Sequence, residues 1–152
     1  MKIILATDGT KYSDAAAEML NKINIGDGDE VKIVSVVDLA VPLAVDVYGG
    51  YLPDTTELEK IAKENALKIL GQAADRAKAI LGSKRVTVTT EVLFGSPESR
   101  IVETAEETHA ELIVMGSHGY KSWERLLLGS VSNSVVHHAP CSVMVVRMND
   151  DK

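Results

Sequence analysis

Leu112-Ile113-Val114-Met115 runs straight into Gly116-Ser117-His118-Gly119, and nine residues later comes Gly129-Ser130. The apolar run has the composition of a strand buried on both faces. At its exit the glycines let the backbone turn sharply and come close to a ligand. Gly129-Ser130 then opens a short helix that ends at His138, before Pro140. Strand, glycine turn and helix start together form a place where bare backbone N–H groups meet phosphate oxygens. Successive N–H groups make an anion-binding nest, and the helix dipole adds its positive end.

Outward from this unit, strand and helix patterns alternate along the whole chain. Towards the N-terminus, strands are expected at Ile3–Thr7, Val31–Val37 and Val86–Leu93, and a last one at Cys141–Val146. Between them, Ala15, Ala16, Met19 and Leu20 give Lys11–Lys22 a helical apolar face. Thr55–Leu81 reads as a long helix with Leu58, Ile61, Ala62, Ile69, Ala73, Ala77 and Ile80 on one side. Ser96-Pro97 starts another, with Ser96 as N-cap, carrying Ile101, Val102 and Ala105. Such alternation predicts an α/β fold with a mostly parallel sheet and helices on both faces, because parallel neighbours need crossovers. The expected organisation is a single domain over residues 1–148 with a short polar tail at 149–152.

Charge and composition narrow the function classes. Sixteen Lys and Arg against 22 Asp and Glu give a net charge of −6. Without a basic cluster, a nucleic-acid partner is not expected, since neutralising a phosphate backbone takes many cations. One nucleotide needs only a local field. No apolar run reaches the ~18 residues of a membrane span, so no membrane is expected. The N-terminus enters a strand with no signal-peptide layout, and Cys141 is the single cysteine. The expected location is the cytoplasm.

Ligands on open α/β sheets bind beyond the carboxyl ends of strands, where strand order reverses. Two strand exits carry suitable chemistry: Ala6-Thr7-Asp8-Gly9-Thr10, and the turn at Gly116. Asp8 could meet a ribose hydroxyl or, through water, a phosphate-bound metal; alternatively Asp8 or Thr10 caps the first helix. The glycine spacing is neither a Walker A loop nor a dinucleotide fingerprint. It fits G-x2-G-x9-G-[ST], with Gly116, Gly119, Gly129 and Ser130 at the defined positions.

On these residues the chain resembles the ATP-binding branch of the universal stress protein family. Ile4-Leu5-Ala6-Thr7-Asp8-Gly9-Thr10 is similar to the family's first strand and acidic exit. Val92-Leu93-Phe94-Gly95-Ser96-Pro97 resembles its turn before the third helix. Leu126 to Ser132 and Ala139 to Val143 resemble its C-terminal signature. The resemblance implies an open five-stranded parallel sheet in the order 3-2-1-4-5 with four helices, an adenine nucleotide alpha hydrolase-like, Rossmann-like architecture. By the same resemblance Ala6, Thr7 and Asp8 line the adenosine side, and Val36 meets adenine with its backbone. Met115, Gly116, His118 and Gly119 wrap ribose and phosphates, and Gly129, Ser130, Val131 and Ser132 hold the phosphates. The implied ligand is ATP, with Mg2+ or Mn2+ carried on the phosphates. The implied assembly is a homodimer through the C-terminal edge strand. Thr10 and Ser35 stand where serine and histidine are common in the family.

Other residues carry competing readings. The His118 side chain faces phosphate or solvent. His137 and His138 suit the negative end of a helix. Cys141 reads as a small core residue and not a nucleophile. Lys121 and Arg125, between the glycine elements, are solvated loop charges or touch a γ-phosphate, and Trp123 anchors a partner or covers the loop base. Asp38–Asp54 is long and apolar for a loop. It packs on the domain or a second subunit, or forms a lid. The expected function is a nucleotide-responsive regulator in stress response. Slow ATP hydrolysis or phosphotransfer, and a nucleotide-free interaction module, are the alternatives.

Overall fold

The computed structural model describes residues 1–38, 55–118 and 128–148. In chain order the elements are β1 (Lys2–Ala6), α1 (Lys11–Glu18), a 3-10 turn (Met19–Lys22), β2 (Glu30–Val37) and α2 (Thr55–Leu81). They continue with β3 (Thr87–Phe94), α3 (Pro97–Thr108), β4 (Leu112–Gly116), α4 (Ser130–His138) and β5 (Ser142–Val146). The five strands form one sheet in the order β3-β2-β1-β4-β5, and every pairing is parallel. The order reverses between β1 and β4, which is where an open α/β sheet leaves a crevice.

Alternation along the strands builds two cores. Ile3, Leu5, Val31, Ile33 and Val114 face one side, against Ala16, Ala17 and Leu20 of the α1 region and Leu70, Ala73 and Ala77 of α2. Ile4, Ala6, Val34, Ile113 and Met115 face the other, against Ile101 and Ala105 of α3 and Val135 of α4. Ile3, Ile4 and Leu5 are all essentially solvent-free, each worth ~1.5–3 kcal/mol of transfer free energy. β1 is therefore buried on both faces and between two strands, a rigid base for whatever its exit carries.

Two helices differ from the sequence expectation. The first was expected to run to Lys22, but tightens into a 3-10 turn from Met19. The buried stripe of α2 is Ala66, Leu70, Ala73, Ala74, Ala77 and Leu81, while Leu58 and Ile61 are exposed. The reason is position along the sheet. A Cβ added to Gly9, just past the end of β1, would lie 2.9 Å from Ile69 Cγ1. Ahead of Ala66 none of the described side chains of α2 is buried.

The turn into β2 is pinned by Asp29, whose Oδ2 accepts from the Gly26 N–H at 2.8 Å and whose Oδ1 pairs with the Met1 ammonium. The Gly26 hydrogen bond, then that ammonium, hold the carboxyl below the usual Asp range. A depressed folded pKa stabilises fully above the unfolded value and is lost as pH falls through the folded one. Asp29→Ala is expected to lower the thermal midpoint at neutral pH. The gap to the parent should close below about pH 4, which melts across a pH series would show.

Candidate functional site

The exit of β1 is tied down by its own short side chains. The Thr7 N–H donates to Val34 O at 2.9 Å, extending the sheet by one bond. Thr7 Oγ1 donates to Ser13 Oγ at 3.1 Å, and Ser13 Oγ to Thr10 O at 2.9 Å. Gly9 takes φ +76°, a conformation glycine adopts without strain. Asp8 Oδ1 accepts from both the backbone N–H (3.0 Å) and the hydroxyl (2.6 Å) of Thr10. Thr10 is the N-cap of α1 and accepts from the Ser13 N–H. Of the two capping alternatives the sequence offered, Thr10 is the one realised, and Asp8 braces the residue that caps the helix. Asp8→Ala is expected to cost about 1 kcal/mol. Asp8→Asn, which keeps an acceptor oxygen, should cost less, as thermal melts would report.

The exit of β4 lies beside it. Gly116 ends the strand against the first turn of α1. A Cβ there would stand 2.7 Å from the Tyr12 carbonyl carbon and 2.8 Å from its oxygen. Ser117 is buried and fully engaged: its N–H donates to Val146 O at 2.9 Å, and its carbonyl accepts from the Gly129 N–H at 2.8 Å. The same carbonyl accepts from Ser132 Oγ at 3.0 Å. Ser117 thus stitches the end of β4 to the start of α4. A Cβ on Gly129 would lie 3.1 Å from that carbonyl oxygen.

α4 begins with Gly129 as N-cap, which supplies no capping side chain, and its first turn carries no acidic residue. The first helical bond runs from the Asn133 N–H to Gly129 O. The N–H groups of Ser130, Val131 and Ser132 precede it, the positions a helix leaves without intrahelical partners. Ser130 is exposed, Val131 half-buried and Ser132 buried. The Ser132 hydroxyl is turned inward, shared between Ser117 O and Gly129 O. It braces the turn from inside.

The two exits predicted from sequence are thus adjacent in space. Ala6 ends β1, and Thr7 and Asp8 follow it. Met115 and Gly116 end β4 with His118 just beyond, and Gly129 caps α4 ahead of Ser130 to Ser132. Ala6 and Met115 have their side chains in the core, leaving their backbone at the site. Val36 lies two residues beyond Val34, the partner of Ala6, and pairs with Leu93. Gly119, Lys121, Trp123, Arg125 and the loop from Leu39 to Asp54 lie outside the described residues.

Among the remaining residues, His137 and His138 turn Nδ1 to the carbonyls of Asn133 and Ser134, closing the end of α4. Cys141 packs beside the α3–α4 core, and burial pushes its thiol pKa up, which disfavours the nucleophilic thiolate. Ser96 is the N-cap of α3 by position, with no side-chain bond to the helix. Among the described residues, no three or more His, Cys, Asp or Glu side chains group to hold a metal. No described helix is long and apolar enough to cross a membrane. Ser13, Ser117 and Tyr12 were not singled out from the sequence. The signal for Tyr12 was a bulky aromatic at the start of a helix in a chain only 4% aromatic.

Comparison with known proteins agrees with this architecture. The sequence pattern of the universal stress protein family matches residues 1–147. Universal stress protein MJ0531 of Methanocaldococcus jannaschii is 36% identical over 146 residues, covering 96% of this chain and 81% of that protein. The solved structure of hypothetical protein MJ0577 superposes with a TM-score of 0.79 at 24% identity, over 99% of this chain and 97% of that one. A universal stress protein solved in complex with cAMP gives a TM-score of 0.69 at 26% identity, over 98% of each chain. Strand order, glycine-bearing strand exits and a match along nearly the full length converge: the chain belongs to the universal stress protein family.

Proposed function

We propose that this protein binds ATP at the crevice between β1 and β4 and acts as a nucleotide-responsive regulator in stress response. The observation that carries the reading is the β4–α4 junction. Gly116 and Gly129 occupy places where a Cβ would press on backbone, and they bring the strand end and an acid-free helix start together. Backbone N–H groups and a helix dipole at such a junction favour an anion. Support also comes from the relative solved with cAMP, an adenine nucleotide.

In this reading Ala6, Thr7 and Asp8 flank the adenosine, and the Val36 backbone meets the adenine. Gly116, Gly119 and His118 enclose the ribose and phosphates, and Gly129 to Ser132 hold the phosphates from the helix start. The residues present fit a phosphate chain, because the junction offers donors and little side-chain bulk. Mg2+ or Mn2+ would be carried by the phosphates themselves. β5, at the edge of the sheet with a half-buried apolar face, is the proposed homodimer strand, since an apolar edge left bare invites aggregation. The cytoplasm is the proposed location. Calorimetric titration with Mg-ATP tests the reading. Saturable binding near one per chain supports it, and absence of heat at several temperatures rejects it.

A further inference from the structure

The first turn of α1 meets the β4 exit twice. The backbone of Tyr12 fills the space a side chain on Gly116 would need. Its ring then lies against the His118 imidazole, with centroids 5.3 Å apart and planes tilted by 47°. Lys11 Nζ sits 5.3 Å from the centroid of the same ring, within cation–π range. The imidazole is held from a second side too, since its Nδ1 is 2.9 Å from Ser117 Oγ. Ser117 is in turn fixed to β5 and α4 through its N–H and carbonyl. His118 is therefore gripped between α1 and a buried serine.

We propose that Tyr12 is a positioning residue of the nucleotide site. Its ring holds His118, and with it the backbone leaving β4, in the orientation that receives phosphate. The inference rests on the ATP-binding reading above. Its physical basis is the freedom of the turn. Glycine-bearing backbone loses more conformational entropy on being ordered than any other, so a nest of N–H groups must be held by what little side chain it has. In Gly116-Ser117-His118, Ser117 secures the buried side, and His118 is the residue with a face to pack. Tyr12 supplies the opposing face. Tilted aromatic pairs at this separation attract beyond simple burial. The attraction resides in the ring and not the hydroxyl, so phenylalanine should serve equally well.

The test is Mg-ATP titration of the parent, Tyr12→Phe, Tyr12→Ala, His118→Ala and the Tyr12→Ala/His118→Ala pair. The His118 ring-proton resonances are recorded alongside, without nucleotide. Tyr12→Phe is expected to retain both affinity and the His118 resonance positions. Tyr12→Ala should weaken binding about 3- to 10-fold and shift those resonances. Added to His118→Ala, it should cost nothing more. If Tyr12→Ala does not fold, Tyr12→Leu takes its place, keeping bulk without a ring, with the same expected loss. The inference is overturned if the loss is equal in both backgrounds, or if removing the ring leaves affinity unchanged. A parent that takes up no Mg-ATP rejects the ATP reading itself, and is distinguished because the defect then precedes any substitution.

Discussion

Gly116→Ala is expected to destabilise the protein by about 3 kcal/mol, lowering the thermal midpoint by roughly 6–12 °C for a chain of this size. The added Cβ would stand 2.7, 2.8 and 2.9 Å from the carbonyl carbon, carbonyl oxygen and Cβ of Tyr12. These are not the far ends of flexible side chains. Tyr12 lies in the first turn of α1, behind a cap made by Thr10 and braced by Asp8. Relief therefore means moving a helix whose Ala16 and Ala17 are fully packed in the core. Gly71→Ala is the matched control. Gly71 is exposed in α2, and an added Cβ there meets nothing within 4 Å. That change should stabilise by about 0.5–1 kcal/mol, through helix propensity alone. Opposite signs for one chemical substitution, read by thermal or urea denaturation, would locate the close approach at the β4 exit.

Gly129→Val is expected to separate binding from folding. Gly129 has φ −59° and ψ 158°, values open to valine, so the backbone itself is not strained. Its added Cβ would lie 3.1 Å from Ser117 O and 3.4 Å from His118 Cα, backbone atoms that must give by a few tenths of an ångström. The cost to stability should be about 1–3 kcal/mol, from a poor N-cap and the tightened backbone contact, still less than the close approach at Gly116 demands. The cost to binding should be larger. The branched side chain fills the approach to the α4 N–H groups, and a charge-assisted hydrogen bond is worth ~1.5–3 kcal/mol. Losing one weakens Mg-ATP by at least about 10-fold, and losing two by about 100-fold or more. A folded Gly129→Val protein that binds as tightly as the parent would place the phosphates elsewhere.

The sheet was legible because its strands are written plainly. Ile3-Ile4-Leu5 and Leu112 to Met115 are apolar on consecutive positions, and Val31 to Val37 is apolar except at Lys32 and Ser35, as burial on both faces demands. Strand ends shifted by only a residue, as at β3 and β5. The strand order came from the resemblance and not from periodicity, since pattern alone does not say which strands are neighbours. What periodicity misjudged was α2. Leu58 and Ile61 have helical spacing with Ile69, but spacing does not reveal where the sheet below the helix ends. That depends on the contact of Gly9 with Ile69, a tertiary fact. Glycines and serines of the site were legible as a spacing. The division of labour among them was not. Ser132 spends its hydroxyl on two carbonyls, and Ser117 joins β4, β5 and α4. Partner choice for a hydroxyl is set by three-dimensional neighbours. The grip of Tyr12 on His118 spans more than a hundred residues of sequence, with no local signal for the pairing.

The central claim is that the crevice at the β1 and β4 exits holds ATP. Its most direct test is mass spectrometry of small molecules released from the purified, unsupplemented protein, beside Gly129→Val, with Mg-ATP titration of both. ATP or ADP near one per chain is expected from the parent and little from the variant, with binding heats that differ in the same way. A parent that releases no nucleotide and gives no heat with Mg-ATP would contradict it, as would a variant that carries as much nucleotide as the parent.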